Sequence, residues 1–232
     1  LFSLKSSTAT SSGGKALLVP TPFAFKMALL DVACRTFGLE QAKGLWNTIR
    51  DSQVAIRPAR QVIVTNLFTR IWKPYEFKGK ASEKGAAIVE ASKKGKYPFQ
   101  SNIGYREYVQ FVGEFSIAVN LSSEVYSDRL ARLFYGINYL GKRGSFVQLL
   151  APIEEANFLP SDFVNLTQNQ AQFVLNGVMQ ILDDCTSELT FEKADIYSGK
   201  RITGKERVFR NIVLPYRASR SSRSFTLYEY TG

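Results

Sequence analysis

A short basic turn carries the clearest chemistry in this sequence. Lys142 and Arg143 stand side by side in the turn 141–144, which begins and ends with glycine. Glycine lets the backbone approach a phosphate closely, while the two cationic side chains neutralise its charge. Ser145 follows as a hydroxyl donor, and Phe146 offers a ring that would either stack on a base or pack in the core. The turn therefore predicts a polyanion-binding site.

A second candidate site lies at the predicted start of a helix. Thr21 is a favoured N-cap residue, and Pro22 suits the first helical position because that position needs no N–H donor. Free N–H groups at a helix N-terminus attract phosphate, and Lys15 and Lys26 stand near this one in sequence. We therefore expect Lys15, Thr21 and Lys26 to contact a polyanion.

The overall charge indicates which polyanions are relevant. The 232 residues carry a formal net charge of +10, which favours nucleic acid or another anionic surface as the partner. Arg106 with Tyr105 and Tyr108 combines a cation with rings suited to unstacked bases. Further candidate contacts are Arg57, Arg60, Arg70 and Lys73. The arginines of the segment 216–223 either bind nucleic acid or are simply solvated.

Histidine is absent from the chain. Its absence excludes Ser-His-Asp and Cys-His triads and histidine metal sites. It also removes the commonest general acid or base near neutral pH, so any catalysis would depend on Tyr, Lys, Arg or carboxylates. The sequence contains neither a Walker A loop nor a G-x-G-x-x-G motif. We expect no cofactor.

Acidic and cysteine residues provide no metal site in this interpretation. The adjacent acids at 183–184 and 154–155 point apart on either a helix or a strand, so we interpret both pairs as solvated. Cys34 and Cys185 lie far apart in helix-like patterns. That spacing predicts neither a disulfide nor a zinc site, and it fits a reducing compartment.

Length and composition limit the domain organisation. An apolar content of 45% in 232 residues suits one large domain, or one domain with an insertion. No apolar run approaches the ~18–20 residues of a membrane helix, and no signal peptide is visible. We expect a cytoplasmic protein that does not contact a membrane.

The periodicity of residues 1–150 predicts an α+β domain. It indicates, in chain order, a strand within 1–12, a helix from Pro22 to about Phe37, a helix at 39–51, a strand at 54–72, a strand at 105–121, an amphipathic helix that runs into Leu140, and a strand at 145–150. Between them, residues of about 73–104 are rich in Lys, Gly, Ala and Ser and predict a protruding hairpin or flexible loop, with a solvated linker as the alternative. Without this insertion the order is that of a ferredoxin-like, RRM-type fold.

A different pattern begins after residue 150. Residues 162–184 predict a helix, and 188–196, 207–214 and 225–230 predict strands. We therefore divide the chain into an RRM-like domain, 1–150, and an α+β C-terminal extension, 151–232.

Two segments resemble a known superfamily. The VPTP segment at 19–22, followed by ALL at 28–30, resembles the entry into the first helix of CRISPR-associated RAMP proteins. YLGKR at 139–143, before an apolar segment, resembles their glycine-basic turn. Both motifs in this order, with a basic insertion between them, look most like Cas family five, the subunit that caps the 5′ end of the guide RNA in Cascade complexes.

The resemblance implies a function as well as a fold. It implies an RRM-like body with a β-hairpin thumb at about 73–104, and a non-catalytic role in antiviral defence that binds the 5′ handle of crRNA in a type I Cascade ribonucleoprotein. The implied partners are the backbone subunit of Cas family seven, the large subunit, and target DNA near the PAM. Two alternatives stay open: a metal-independent endoribonuclease that uses Tyr105 and Lys142, or a subunit that binds duplex DNA near the PAM.

Overall fold

The computed structural model describes residues 1–6, 15–121, 127–141, 144–171, 173 and 175–232. The first elements are two helices, α1 (Pro22–Phe37) and α2 (Leu39–Asp51). The predicted N-cap is confirmed, because the Ala24 N–H donates to Thr21 Oγ1 at 3.1 Å. Gly38 separates the helices with φ 83°, a conformation that favours glycine. No helix in the described ranges is long and apolar enough to cross a membrane.

The strands pair antiparallel in three sheets within the described residues. They are β1 (Gln53–Arg57), β2 (Gln61–Pro74), β3 (Phe99–Val112), β4 (Ser116–Asn120), β5 (Val164–Asn165), β6 (Val178–Cys185), β7 (Arg207–Leu214), β8 (Tyr216–Ser221) and β9 (Phe225–Tyr230). The sheet orders are β4-β1-β5, β3-β2-β9-β8 and β6-β7. The other helices of the described chain are α3 (Lys84–Lys93), α4 (Ser127–Tyr135) and α5 (Phe191–Ala194). The α+β class predicted from the sequence is confirmed.

Two hydrophobic clusters hold these layers together. The first contains α1, α2 and α4, with Trp46 buried and its indole N–H donating to the Leu189 carbonyl at 2.8 Å. The second lies under β2 and β9 and includes Phe2 and Tyr216, whose hydroxyl donates to the Ala59 carbonyl at 2.8 Å. Residues after 150 contribute side chains to both clusters. The division at residue 150 stays an interpretation of the sequence.

A long hairpin extends from the four-stranded sheet. β2 and β3 pair in register over 14 residues, from Gln61 with Val112 to Pro74 with Phe99, and α3 lies in the connection between them. Only the first part of β2 also pairs with β9, from Gln61 with Glu229 to Thr65 with Phe225. Beyond that point both faces of the hairpin are exposed, as Leu67 (43%) and Phe68 (58%) show. The ferredoxin-like arrangement and the identification of this hairpin as a thumb remain predictions.

Several predicted elements are wrong in type. Residues 145–150 form no strand: Phe146 (63%) and Leu150 (79%) are exposed, so the apolar run there does not pack in a sheet. The amphipathic helix before it ends at Tyr135, not near Leu140. Residues 162–184 contain β5 and β6 instead of a helix, because β6 pairs along its length with the distant β7.

Smaller corrections concern the boundaries of strands. The predicted strand at 54–72 is divided into β1 and β2, and that at 105–121 into β3 and β4, with Gly113 (φ 90°) between the last two. Residues 188–196 contain α5 instead of a strand. The N-terminal strand is reduced to isolated bridges at Phe2, Ser3 and Lys5, and residues 7–12 lie outside the described chain. The strands predicted at 207–214 and 225–230 are confirmed.

The paired acids at 183–184 are buried, not solvated. Their side chains point apart on β6, as expected, but both sides of this strand are covered. Asp183 pairs with Arg207 at 2.9 Å. Asp184 pairs with Lys26 at 2.7 Å and with Arg210 at 3.3 Å, which joins α1 to the β6-β7 sheet.

Removing the Asp184 carboxylate should destabilise the fold strongly. In Asp184→Asn, the buried ammonium of Lys26, which is 2% exposed, would lose its ion-pair partner. We expect the free energy of unfolding in urea to fall by about 3–5 kcal/mol. The matched control is Asp162→Asn, because Asp162 lies 3.8 Å from Arg57 at the surface; its loss should stay below about 1 kcal/mol. Similar losses in the two variants would contradict the structural role of the buried pair.

Candidate nucleic-acid interface

The β2–β3 register decides which side chains of the hairpin face the same way. Directly paired residues in an antiparallel ladder lie on the same side, and neighbours along a strand alternate. We call the side that carries Val62 and Val64 the core-side face, because it packs on the second cluster near the body. The opposite side is the solvent-side face. The core-side face continues outward through Tyr105 and Arg70, and the solvent-side face through Arg106 and Lys73.

Tyr105 is held firmly on the core-side face. Its ring lies against Phe68 with the centroids 5.0 Å apart. Its hydroxyl lies 2.7 Å from Glu107 Oε1, to which it donates, and 3.1 Å from Asn66 Oδ1. The buried Glu107 also accepts from the Ala16 N–H. Burial, followed by the Glu107 carboxylate, raises the pKa of Tyr105 to about 12, so its phenol is protonated at neutral pH.

Arg106 and Tyr108 lie on the solvent-side face, separated from Tyr105. The Arg106 Nη1 donates to the Tyr108 hydroxyl at 3.5 Å, and both side chains are half-buried. The sequence predicts Tyr105, Arg106 and Tyr108 as one group, a cation with rings suited to unstacked bases. Strand alternation makes that grouping wrong, because Tyr105 and Arg106 are neighbours along β3 and point to opposite sides.

The outer part of the hairpin carries unpaired cations beside exposed rings. Arg70 and Lys73 are exposed, and neither forms an ion pair with any described residue. Trp72, between them, is 60% exposed. At the end of the hairpin, a cleft of about 540 Å³ is lined by residues that include Tyr75, Phe77, Lys84 and Tyr97. Cations that contact phosphates and aromatic rings that stack on bases are the side chains that bind single-stranded nucleic acid.

The two predicted arginines at the base of the hairpin differ in their surroundings. Arg57 already has partners: its Nη2 donates to Ser116 Oγ at 3.0 Å, its Nη1 lies 3.8 Å from Asp162, and its guanidinium lies 5.5 Å from the Phe163 ring centroid. Arg60, between β1 and β2, is exposed and has no ion-pair partner in the described chain. Of the two, Arg60 is the side chain free to bind a phosphate.

The predicted phosphate site at the start of α1 is not supported by the geometry. Thr21 is 1% exposed, and its hydroxyl oxygen caps the helix. Lys26 is buried, with its ammonium donating to Asp184 and, at 2.8 Å, to the Arg50 carbonyl. These two residues therefore stabilise the fold, and the prediction that Thr21 and Lys26 contact a polyanion is wrong. Lys15 is exposed and stays a candidate.

The basic turn is described only at its ends, because Lys142 and Arg143 lie outside the described residues. Gly141 has φ 77° and forms a bridge with Ser3. Ser145 is 5% exposed, and its hydroxyl accepts from the Ser3 N–H at 3.1 Å. Ser145 thus joins the turn to the N-terminal segment instead of facing solvent, whereas Phe146 is exposed and does not pack in the core.

No group of His, Cys, Asp and Glu within the described ranges is suited to hold a metal ion. Cys34 and Cys185 are free thiols in the described structure. The sequence leaves open whether Arg217 and Arg220 bind nucleic acid or are solvated; both are exposed on β8, at the edge of the sheet that contains the hairpin. The basic composition of the segment 216–223 points to these arginines. Their position in the same sheet as β2 and β3 depends on β9, which pairs with both β8 and β2 and is far from β2 in sequence.

The described surface is that of a basic α+β protein suited to a polyanion, and comparison with known proteins adds a similarity. No protein-family model matches this chain. The chain is 22% identical over 187 residues to "CRISPR-associated protein Cas5" of Archaeoglobus fulgidus, which covers 78% of this chain and 74% of that protein. The match confirms the predicted resemblance to Cas family five and supports a CRISPR-associated role.

Gly141 should be intolerant of a side chain. A Cβ there would lie 3.0 Å from Leu4 Cδ1 and 3.3 Å from the Ser3 carbonyl oxygen, at a φ that L-residues avoid. We expect Gly141→Ala to lower the free energy of unfolding by at least about 1–2 kcal/mol. The same change at Gly44, in the exposed part of α2 with nothing within 4 Å, should instead raise it by about 0.5–1 kcal/mol. Urea denaturation of both variants tests this, and a stabilised Gly141→Ala would contradict the close approach.

Proposed function

We propose that this chain is a non-catalytic RNA-binding subunit of a type I Cascade complex, in which it binds the 5′ handle of crRNA and helps to assemble the complex for recognition of target DNA. The observation that carries the proposal is the hairpin, whose exposed outer part presents unpaired cations on both faces and exposed rings such as Phe68 and Trp72 on the core-side face. The similarity to a Cas5 protein supplies the biological setting.

The chemistry of the hairpin fits RNA better than it fits an acidic protein. Arg70, Lys73 and Arg106 provide the sequence-independent phosphate contacts, and rings such as Trp72 provide flat apolar surfaces for bases that are not paired. An acidic peptide would use the cations and leave the exposed rings in water. The implied partners in the complex are crRNA, the backbone subunit of Cas family seven, the large subunit, and target DNA near the PAM.

We also propose that the chain does not cut the RNA it holds. The sequence has no histidine. Tyr105, the tyrosine considered for activating a 2′-hydroxyl, has its pKa raised to about 12 and its hydroxyl bonded to Glu107. A phenol that is neutral at pH 7 and already engaged is a poor general base. Processing of the precursor would then depend on a separate nuclease.

Loss of the outer hairpin cations should weaken binding of handle RNA. In a variant with Arg70→Ala and Lys73→Ala, affinity should fall, and the slope of log K against log salt should become shallower by about 0.7 for each phosphate that the variant no longer neutralises. Fluorescence anisotropy with a labelled repeat-derived 5′ handle measures both quantities. The matched control removes one Arg and one Lys elsewhere, with Arg35→Ala and Lys43→Ala on α1 and α2; it should bind as the unaltered chain does.

Three competitors distinguish specific binding of the handle from general binding of nucleic acid: unlabelled handle RNA, scrambled RNA of the same length, and duplex DNA. The handle should compete fully, and the other two should compete poorly. Binding that is insensitive to salt, or equal for handle and scrambled RNA, would contradict the proposed role. Preferred binding of duplex DNA would replace it with the DNA-binding alternative.

Repeat RNA incubated with the chain in EDTA should remain intact. The expectation follows from the missing histidine and the protonated Tyr105, and gel analysis beside an alkaline ladder measures it. Cleavage at one specific position would refute the non-catalytic assignment and favour the metal-independent endoribonuclease. In that event, Tyr105→Phe would show whether this phenol takes part: a variant that still cuts would assign the chemistry to other residues.

A further inference from the structure

We propose that the solvent-side face of the β3-β2-β9-β8 sheet is a second RNA-binding surface, a row of rings and arginines that binds unpaired bases of single-stranded RNA. It draws on β8 and β9, which the handle-binding proposal does not use, and it shares only Arg106 with the outer hairpin. The inference rests on the proposed function only in taking RNA as the polyanion.

The aromatic residues of this surface form one row across three strands. Thr65 on β2 pairs with Tyr108 on β3 on one side and with Phe225 on β9 on the other. Directly paired residues share a face, so both rings flank Thr65 on the solvent-side face. Their strands are two ladder spacings apart, about 10 Å, which leaves room for two separate bases. Tyr108 is half-buried and Phe225 is exposed, and the residue between them, Thr65, is small.

A bulge in β8 places two arginines on this same face. Arg217 pairs with Glu229 and Arg220 pairs with Leu227, with a register shift between Ala218 and Arg220. Residues three apart in a regular strand point to opposite sides. Because the bulge adds one residue, Arg220 comes to the face that Arg217 occupies. Without it, one of these cations would point to the other side of the sheet.

The charges on this face are positive at both ends of the aromatic row. Arg217 and Arg220 are exposed and form no ion pair with a described residue. Glu229, the acid on the same face, lies 3.4 Å from the Gln61 side-chain amide, which donates to it. At the far end, the Arg106 guanidinium reaches the Tyr108 hydroxyl. A strand that crosses the row would therefore meet cations before and after the rings.

This combination selects single-stranded RNA over a duplex. Rings that lie in the face of a four-stranded sheet can stack only on bases that are free of a paired partner. Arginines at the margin take the phosphates between those bases, with little preference for sequence. Phe225 is 37% exposed at its strand position, so its ring is accessible without a change in the fold.

The test uses the full chain and fluorescein-labelled octauridine, measured by anisotropy across a range of salt. Phe225→Leu keeps an apolar side chain but removes the ring; its affinity should fall about tenfold with the salt slope unchanged, whereas Phe225→Trp should bind like the unaltered chain. Arg217→Ala with Arg220→Ala should make the slope shallower by about 1.4. The charge-matched control with Arg35→Ala and Lys43→Ala should change neither quantity.

Photocrosslinking of the unaltered chain gives a readout that does not depend on any variant folding well. Octauridine with 5-iodouridine should crosslink to peptides that contain Tyr108 or Phe225, identified by mass spectrometry. Octauridine affinity and slope that stay at the unaltered values in both the Phe225→Leu and the double arginine variants would overturn the inference, and so would crosslinks confined to other peptides. If the inference failed in this way but the Arg70→Ala, Lys73→Ala variant still lost binding of handle RNA, the proposed function would stand. Sheet-face binding without preference for the handle would refute the proposed function alone.

Discussion

The register between β2 and β3 is the constraint on which the rest of the surface depends. Fourteen successive pairs allow no slip, because a shift of one residue would move every side chain to the opposite face. That register is held at the body by Val62, Val64 and Val109, which are buried in the second cluster. The register then fixes the face on which each residue of the outer hairpin lies. Arg106 and Tyr108 face solvent together, while Tyr105 turns towards Glu107 and the core.

A second constraint fixes the framework behind the sheet. Lys26 on α1, Asp184 on β6 and Arg210 on β7 form a buried ionic group, and Arg207 lies 3.8 Å from the Phe23 ring centroid. These cations count towards the formal net charge of +10, but Lys26 is buried and the two arginines already pair with Asp183 or Asp184. The charge that a polyanion meets is therefore concentrated on the hairpin, on β8 and on loops, where the cations have few partners.

Elements that are set by local interactions could be predicted from the sequence, whereas those set by contacts between distant residues could not. Thr21, Pro22 and Gly38 mark the ends of α1 by local backbone chemistry, and those boundaries are confirmed. The strands β7 and β9 are predictable from alternation and β-branched or aromatic residues. The segment 162–184 is misassigned because its apolar spacing also suits a helix, and only pairing with β7 decides in favour of a strand. The burial of Lys26 is invisible in the sequence for the same reason, since its partner Asp184 is 158 positions away.

The one-sided pairing of outer β2 has a consequence for the behaviour of the chain in solution. Beyond Thr65 no described strand pairs with β2 on the β9 side, so from Leu67 outward its backbone N–H and C=O groups form an open edge. Such an edge can recruit the same edge of another copy, and charged side chains are the common protection against it. Arg70 and Lys73 stand on this segment. The cations that suit RNA therefore also discourage self-association by edge pairing. The same residues thus favour both RNA binding and a chain that stays dispersed in solution.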